Sequence, residues 1–302
     1  MTPVSMKPQL FDTHCHLTWK ESGDSAENQW REARESGVTS MTTIGIGLPD
    51  SLRARELSRS FEGVHATVGI HPNDLGPREE LPTLLADLAA HARSGGWAGI
   101  GETGLDFYRD WCAADIQFEG LQAHLALASE LGLPVVLHCR DAGKELLSEL
   151  NNFNQPFSGV MHCFSDGPER LDDFLALGLH ISFAGNLTYP NASPLRDAAL
   201  RVPEERLLIE TDAPFLAPQP VRGKRNRPSW VRHTFDALVE LRMRPDHRGA
   251  ACGHVEIDRR QHFHRQGIVL QFRRHVVQFS QTRAVESDAP IVFQQRFRRP
   301  GH

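Results

Sequence analysis

The sequence predicts an α/β fold, a (β/α)8 TIM barrel over residues 9–242 followed by an atypical C-terminal segment. Three observations carry this reading. Eight short apolar segments alternate with stretches of helical spacing. The length to residue 242 is close to the ~250 residues typical of such a barrel. No Gly-rich phosphate loop follows the first segment, as a doubly wound open sheet would require.

The strands are placed, in order, at Leu10–Leu17, Val38–Ile46, His65–Ile70, Trp97–Glu102, Val135–Cys139, Gly159–Cys163, His180–Ala184 and Leu207–Thr211. Helix signals lie between them. Asp50-Ser51 is positioned to cap the helix after the second strand. Asp166, with Pro168 and Glu169 behind it, opens the helix after the sixth. Gly37, Gly132 and Gly178 stand where helices should stop. Active sites of such barrels form at the C-terminal ends of the strands. Six of the eight end in polar residues: His14-Cys15-His16, Ile70-His71-Pro72, Gly101-Glu102-Thr103, Leu137-His138-Cys139-Arg140, Met161-His162-Cys163-Phe164 and Glu210-Thr211-Asp212. The second and seventh end in the Gly-containing turns Gly45-Ile46-Gly47 and Ala184-Gly185-Asn186.

Composition narrows the class. Apolar residues make up 40% of 302, enough for a packed core. Met1 to Leu10 lacks the apolar run of a secretory leader, and no apolar stretch reaches membrane-spanning length. Five scattered cysteines without a C-x-x-C pair argue against a disulfide framework, so a soluble cytoplasmic protein is expected. The net charge of −5 excludes a polycation; nucleic-acid contact would need local patches or metal ions. Residues 243–302 carry 11 Arg and 5 acids, a net of +6, which leaves −11 on the preceding part.

His14 and His16 are two apart, so on a strand both imidazoles share a face and can hold one ion at the barrel mouth. Cys15 must then face the helix layer, and the same alternation turns Cys139 and Cys163 away from the mouth as packing residues. A lone strand-end His is ordinarily a hydrogen-bonded structural residue. Four histidines and two carboxylates at the ends of five strands are different, because burying such a cluster is costly unless it is paired or metallated. The candidate metal set is therefore His14, His16, Glu102, His138, His162 and Asp212. His65, His91, His124 and His180 fall at strand starts or on helices and are read as structural. The donors suit Zn²⁺, Mn²⁺ or Fe²⁺, and with fewer imidazoles Mg²⁺. Two divalent ions ~3.5–4 Å apart would share the Glu102 carboxylate, and Asp212 is placed to accept a proton from water.

These segments resemble the TatD-type metal-dependent deoxyribonucleases, a branch of the amidohydrolase-like metal barrels. The matching stretches are Phe11 to Leu17, Gly69 to Pro72, Gly101 to Asp106, Leu137 to Ala142, Met161 to Ser165 and Glu210 to Pro214, with Arg222-Gly223-Lys224-Arg225-Asn226 behind them. The resemblance implies that His14, His16 and Asp212 hold a first ion, that Glu102 bridges, and that His138 and His162 hold a second. It implies that His71 and Arg140 contact the phosphate of a DNA substrate, and that the reaction is phosphodiester hydrolysis, in some members 3′-to-5′. Arg222, Lys224 and Arg225 then sit where they can steer a phosphate backbone. No membrane contact and no particular oligomeric state are predicted.

Two departures stand out. Asn226-Arg227-Pro228 replaces the Asn-Glu-Pro usual in the family, exchanging an acid for a base above the site. From Met243 onward the family's last helix is not recognisable. Residues 243–302 read as an out-of-frame, replaced or disordered basic tail, which would leave part of the barrel's apolar wall uncovered. Two alternatives remain at this stage. One is an amidase, lactonase or phosphotriesterase on the same barrel, relatives that often bridge their metals with a carbamylated lysine; no strand here ends in Lys. The other is a catalytically silent nucleic-acid-binding protein.

Overall fold

The computed structural model describes residues 9–20 and 23–243. Beyond Met243, the atypical segment lies outside the described residues. Eight strands run in parallel in the order β1 to β8: β1 (Leu10–Cys15), β2 (Val38–Thr43), β3 (Val64–Val68), β4 (Gly99–Asp106), β5 (Val135–Arg140), β6 (Gly159–Met161), β7 (His180–Phe183) and β8 (Leu207–Ile209). Each is followed by a helix: α1 (Ala26–Glu35), α2 (Leu48–Ser60), α3 (Leu81–Arg93), α4 (Ala114–Leu131), α5 (Gly143–Asn152), α6 (Pro168–Ala176), α7 (Ser193–Arg201) and α8 (Val231–Met243). This is the expected (β/α)8 barrel. Among the described residues no helix is long and apolar enough to cross a membrane.

Five strands (β1, β2, β3, β6 and β8) end two or three residues earlier than the apolar pattern suggests, because the residues at their tips leave the ladder. Cys163 and Asp212 have φ of 45° and 54°, which no extended strand accommodates. β4 is the reverse case and continues four residues past Glu102. Gly132 is the left-handed cap of α4, and Gly37 and Gly178 follow α1 and α6 with positive φ, as their placement predicts. The expected Asp50-Ser51 cap is corrected: α2 begins at Leu48 behind Gly47, with Pro49 in its first turn. Asp50 instead accepts the Ile46 N–H, and Ser51 Oγ donates to Gly47 O. The helix after β6 likewise starts behind Gly167, with Pro168 in its first turn and no side-chain cap from Asp166.

A small apolar plug of Phe11, Ile44, Val136, Val160 and Leu208 fills the barrel interior, while the main core lies between strands and helices. Two irregularities re-aim side chains above this plug. Phe11 and His14 both point inward although three residues apart, and the β1–β2 register shifts between Asp12 and Cys15. On β4, Ile100 packs in the outer core and Glu102 points inward although two apart; the β4–β5 register shifts between Ile100 and Thr103. Gly101 has φ 131° at this shift, and a Cβ there would lie 2.6 Å from Val136 O. Gly104 has φ 143°, and its Cβ would lie 2.0 Å from His138 O. Only glycine lets β4 run this close to β5.

The barrel closes between its first and last strands. The Asp212 N–H donates to His14 O at 2.9 Å and the His16 N–H to Ala213 O at 2.8 Å. Below them the buried Asp12 carboxyl accepts the Thr211 N–H at 2.8 Å and the Thr211 hydroxyl at 2.5 Å. Burial pushes Asp12 up to about 8 in spite of these bonds. The seam therefore rests on a carboxyl that water does not reach. Thr211→Val strips the hydroxyl from this carboxyl and from the Ala213 N–H it also serves. We expect a loss of about 1–3 kcal/mol in urea unfolding; an unchanged midpoint would show that the seam does not depend on this bond.

Candidate metal centre

Glu102 lies at the middle of the mouth, 3% exposed, and its two oxygens face different partners. Oε2 is 3.3 Å from His14 Nε2. Oε1 is 2.9 Å from both His138 Nδ1 and His162 Nε2. On the Oε2 side, His14 Nε2 and His16 Nε2 are 3.3 Å apart, and Asp212 Oδ1 is 3.6 and 3.4 Å from them. On the Oε1 side, His138 Nδ1 and His162 Nε2 are 3.2 Å apart. The rings of His14 and His162 stack across the centre with centroids 3.9 Å apart. All six residues singled out from the sequence are thus within one cluster. His14, His16 and Glu102 have donor atoms within 4.8 Å of one another, as do His71, Glu102 and His138. A set of imidazole nitrogens and carboxylate oxygens aimed at common points fits a borderline divalent cation.

The electrostatics follow from burial and pairing. Burial pushes the Glu102 carboxyl up, but the His162 and His14 imidazoles overcome this and hold it well below the usual carboxylate range. Asp212 behaves likewise: burial opposes ionisation, and His16 and His14 bring the pKa down. His162 is opposed by burial and held well above its ordinary value by Glu102 and Glu210. His138 is raised against burial by Asp106 and Glu102, and His16 by Asp212. His14 is lowered by burial and by His162.

A second layer of carboxylates orients the rings, and sequence reasoning did not single it out. Glu210 Oε1 lies 3.3 Å from His162 Nδ1, which turns Nε2 toward Glu102. Asp106 Oδ2 lies 3.5 Å from His138 Nε2, which leaves Nδ1 for the centre. Such carboxylate–histidine pairs fix the tautomer of a ligand and raise its basicity. The available signal was parity on β4, where Asp106 is four residues beyond Glu102; Glu210 and Asp212 lie past the end of β8, where alternation gives no signal.

His71 sits beside the cluster, its Nε2 3.8 Å from Glu102 Oε1. Burial pushes it down to about 4, and its Nδ1 accepts the Asn73 N–H. It is therefore a neutral Nε2–H donor and not a cation. Arg140 is exposed at the rim, its guanidinium 3.8 Å from the centre of the Tyr108 ring. Arg222, Lys224 and Arg225 are exposed on the loop after β8, with Arg222 stacked over Tyr189 at 4.2 Å. Buried Asn226 ties this loop down through Thr211 O and Phe215 O. Arg227, the departure from the family pattern, turns outward to Glu32 at 2.5 Å and does not enter the centre.

Cys15 and Cys139 pack in the core between strands and helices, and Cys163 is half-buried beyond β6. Cys15 Sγ donates to Thr42 O within the outer core. Burial pushes all three thiols up, Cys139 to about 12, so they stay neutral. Cys163 lies beyond the end of β6 at φ 45°, so strand alternation does not set its direction. His124 is structural as expected: it is sealed within α4, accepts the Ile70 N–H, and is pushed down to about 4 by burial.

Two outcomes follow. His162, His138 and His16 hold protons more strongly than a free imidazole, and a cation must displace them. Titrating the metal-stripped protein with Mn²⁺ or Zn²⁺ at pH 7 should therefore release protons, with affinity falling as pH falls. Calorimetry in two buffers of different ionisation enthalpy measures this; zero release contradicts it. Glu210→Gln should weaken metal binding about 10–100-fold by loosening His162, and unchanged affinity would remove Glu210 from the assembly.

Comparison with known proteins shows the family. The family model for TatD related DNase matches residues 11–251. The uncharacterized metal-dependent hydrolase YabD of Bacillus subtilis is 35% identical over 77% of this chain and 91% of its own length. The 3′-5′ ssDNA/RNA exonuclease TatD of Klebsiella pneumoniae is 33% identical over 77% of this chain and 90% of its own. The crystal structure of YjjV, a TatD homolog from Escherichia coli K12, superimposes with a TM-score of 0.73 at 31% identity, covering 80% of this chain and 93% of that one. The chain belongs to the TatD-related DNase family of metal-dependent hydrolases.

Proposed function

We propose that this chain hydrolyses phosphodiester bonds of DNA, working inward from a 3′ end, with two divalent ions held on either side of Glu102. The observation that carries the reading is the division of the Glu102 carboxylate, one oxygen toward His14 and the other toward His138 and His162. His14, His16 and Asp212 would hold one ion and His138 and His162 the other. Bound there, Mg²⁺, Mn²⁺ or Zn²⁺ supplies Lewis acidity toward water and phosphate.

The protein residues divide the remaining work. Glu102, sealed and ionised, keeps the two halves of the centre together. Asp212 is 13% exposed against 3% for Glu102, so it is the carboxylate that water can reach. Its lowered pKa keeps it ionised and able to accept a proton from the attacking water. His71 offers a neutral Nε2–H donor to a phosphate oxygen, a bond that forms without a competing charge beside the cations. Arg140 and the exposed Arg222, Lys224 and Arg225 supply positive charge to the approaching backbone. The free thiols of Cys15, Cys112, Cys139 and Cys163 suit a reducing cytoplasm. The lactonase or phosphotriesterase alternative lacks its usual bridge: Lys20, Lys144 and Lys224, the described lysines, are all exposed and outside the cluster.

The test is cleavage of 3′-labelled and 5′-labelled single-stranded DNA with Mg²⁺, Mn²⁺ or Zn²⁺, beside Glu102→Ala. We expect stepwise shortening from the 3′ end by the native chain and a loss of about 10²–10³-fold in the variant, the scale of removing an electrostatic element of a reaction centre. Equal cleavage by both proteins would sink the assigned site. Hydrolysis of a lactone or phosphotriester, with DNA untouched, would replace the substrate class.

A further inference from the structure

The exposed large apolar side chains among the described residues are Tyr108, Trp111 and Phe215, at 57%, 67% and 42% exposure. None lies on the helix layer. Tyr108 and Trp111 follow β4, and Phe215 follows β8, so all three stand on loops at the end of the barrel that carries the metal centre. With the strands ordered β1 to β8 and closed between β8 and β1, the β4–β5 side lies across the mouth from the β8–β1 side. The centre is therefore flanked by two aromatic walls.

The β4 wall is a built platform. The guanidinium of Arg140 lies 3.8 Å from the Tyr108 ring centre, and that of Arg109 lies 5.6 Å from Tyr108 and 4.6 Å from Trp111. Cations and rings thus alternate outward from the mouth. The loop that carries them is held at both ends by the buried Gln117. Its amide donates to Asp106 O and Cys112 O, both at 3.0 Å, and its carbonyl accepts the Asp106 N–H at 2.8 Å. Asp106 Oδ1 in turn accepts the N–H groups of Tyr108 and Arg109, while its other oxygen faces the ring of His138. The platform is fixed to a residue of the metal centre through one carboxylate. Opposite it, Phe215 packs edge-on to Trp19 at 5.0 Å and to His16 at 6.1 Å.

We propose that these walls are nucleobase-stacking platforms, one on each side of the scissile phosphate, and that Tyr108, Trp111 and Phe215 restrict the substrate to unpaired bases. The inference rests on the phosphodiesterase reading above. A rigid loop that leaves two rings in water is preorganised for a flat apolar partner, and interleaved guanidinium groups require that partner to carry negative charge. A nucleobase with its phosphate satisfies both, and stacking tolerates any base. A base inside a duplex is covered on both faces and has nothing to offer the rings.

The experiment compares a 5′-labelled oligothymidylate of ten residues with an abasic phosphodiester chain of equal length, using the full chain and its Trp111→Ala, Trp111→Phe, Tyr108→Ala and Phe215→Ala variants. Tyr108 and Trp111 are more than half exposed, so their removal opens no cavity. We expect the native chain to prefer oligothymidylate in KM by about tenfold or more per platform. Trp111→Ala should lose most of that preference through KM, with kcat little changed, and Trp111→Phe should restore it; Tyr108→Ala and Phe215→Ala, whose side chains lie against Arg140 and His16, should lose the preference as well. Equal KM for both chains, or an alanine variant that keeps the preference, overturns the proposal and leaves the rings for some other partner. If the native chain cleaves neither, the phosphodiesterase reading fails first, and tryptophan fluorescence decides the platform separately. Quenching by oligothymidylate and not by the abasic chain supports it; no quenching by either rejects it.

Discussion

Glu102 is a carboxylate that water scarcely reaches, and isolated in that position it would be neutral or absent. Removing such an ion from water costs several kcal/mol even after the surroundings relax. The protein offsets this by converging imidazoles from β1, β5 and β6 on its two oxygens. Every other feature of the mouth follows from that convergence. The imidazoles need fixed tautomers, hence Glu210 behind His162 and Asp106 behind His138. The carboxylate needs to reach the axis, hence the irregular register at Gly101.

A barrel suits this task because its strands are rigid and their tips converge. Six ligand candidates from five separated segments are brought together at the strand ends, with His16, His162 and Asp212 just past the last residues of β1, β6 and β8. The same packing isolates the cysteines. They are adjacent in sequence to the histidines yet protonated, since burial raises a thiol more than the distant guanidinium groups of Arg170 and Arg140 lower it. Asp12 shows the other side of the principle. It has no cation beside it, and despite its hydrogen bonds burial wins. Two buried carboxyls a few residues from the same centre thus take opposite protonation behaviour, one closing the barrel and the other anchoring the chemistry.

The outer loops carry a different kind of information from the strands. Asp106 belongs to both: it touches His138 inside the mouth and holds the backbone of Tyr108 and Arg109 at the rim. A single side chain thus joins the rim to a histidine of the centre. Arg227 shows that a charge reversal in a family-typical loop need not disturb the site, because its guanidinium finds Glu32 on α1.

Period and spacing alone determined the eight strands, the order of helices and the six-residue cluster. These are one-dimensional properties: two-residue alternation places His14 with His16, and Gly37, Gly132 and Gly178 stop helices by local conformation. Tertiary structure decided what alternation cannot. Phe11 and His14 face the same interior at odd separation, and Ile100 and Glu102 face opposite sides at even separation, because a register shift reverses parity and is imposed by the neighbouring strand. It decided that His71 is neutral, since a pKa depends on how much water the fold removes. It also disclosed Glu210 and Asp106, whose roles exist only relative to rings on other strands. The candidate metal-holding residues were legible because metal chemistry restricts residue type; their aim and protonation were not, because those are set by neighbours distant in sequence.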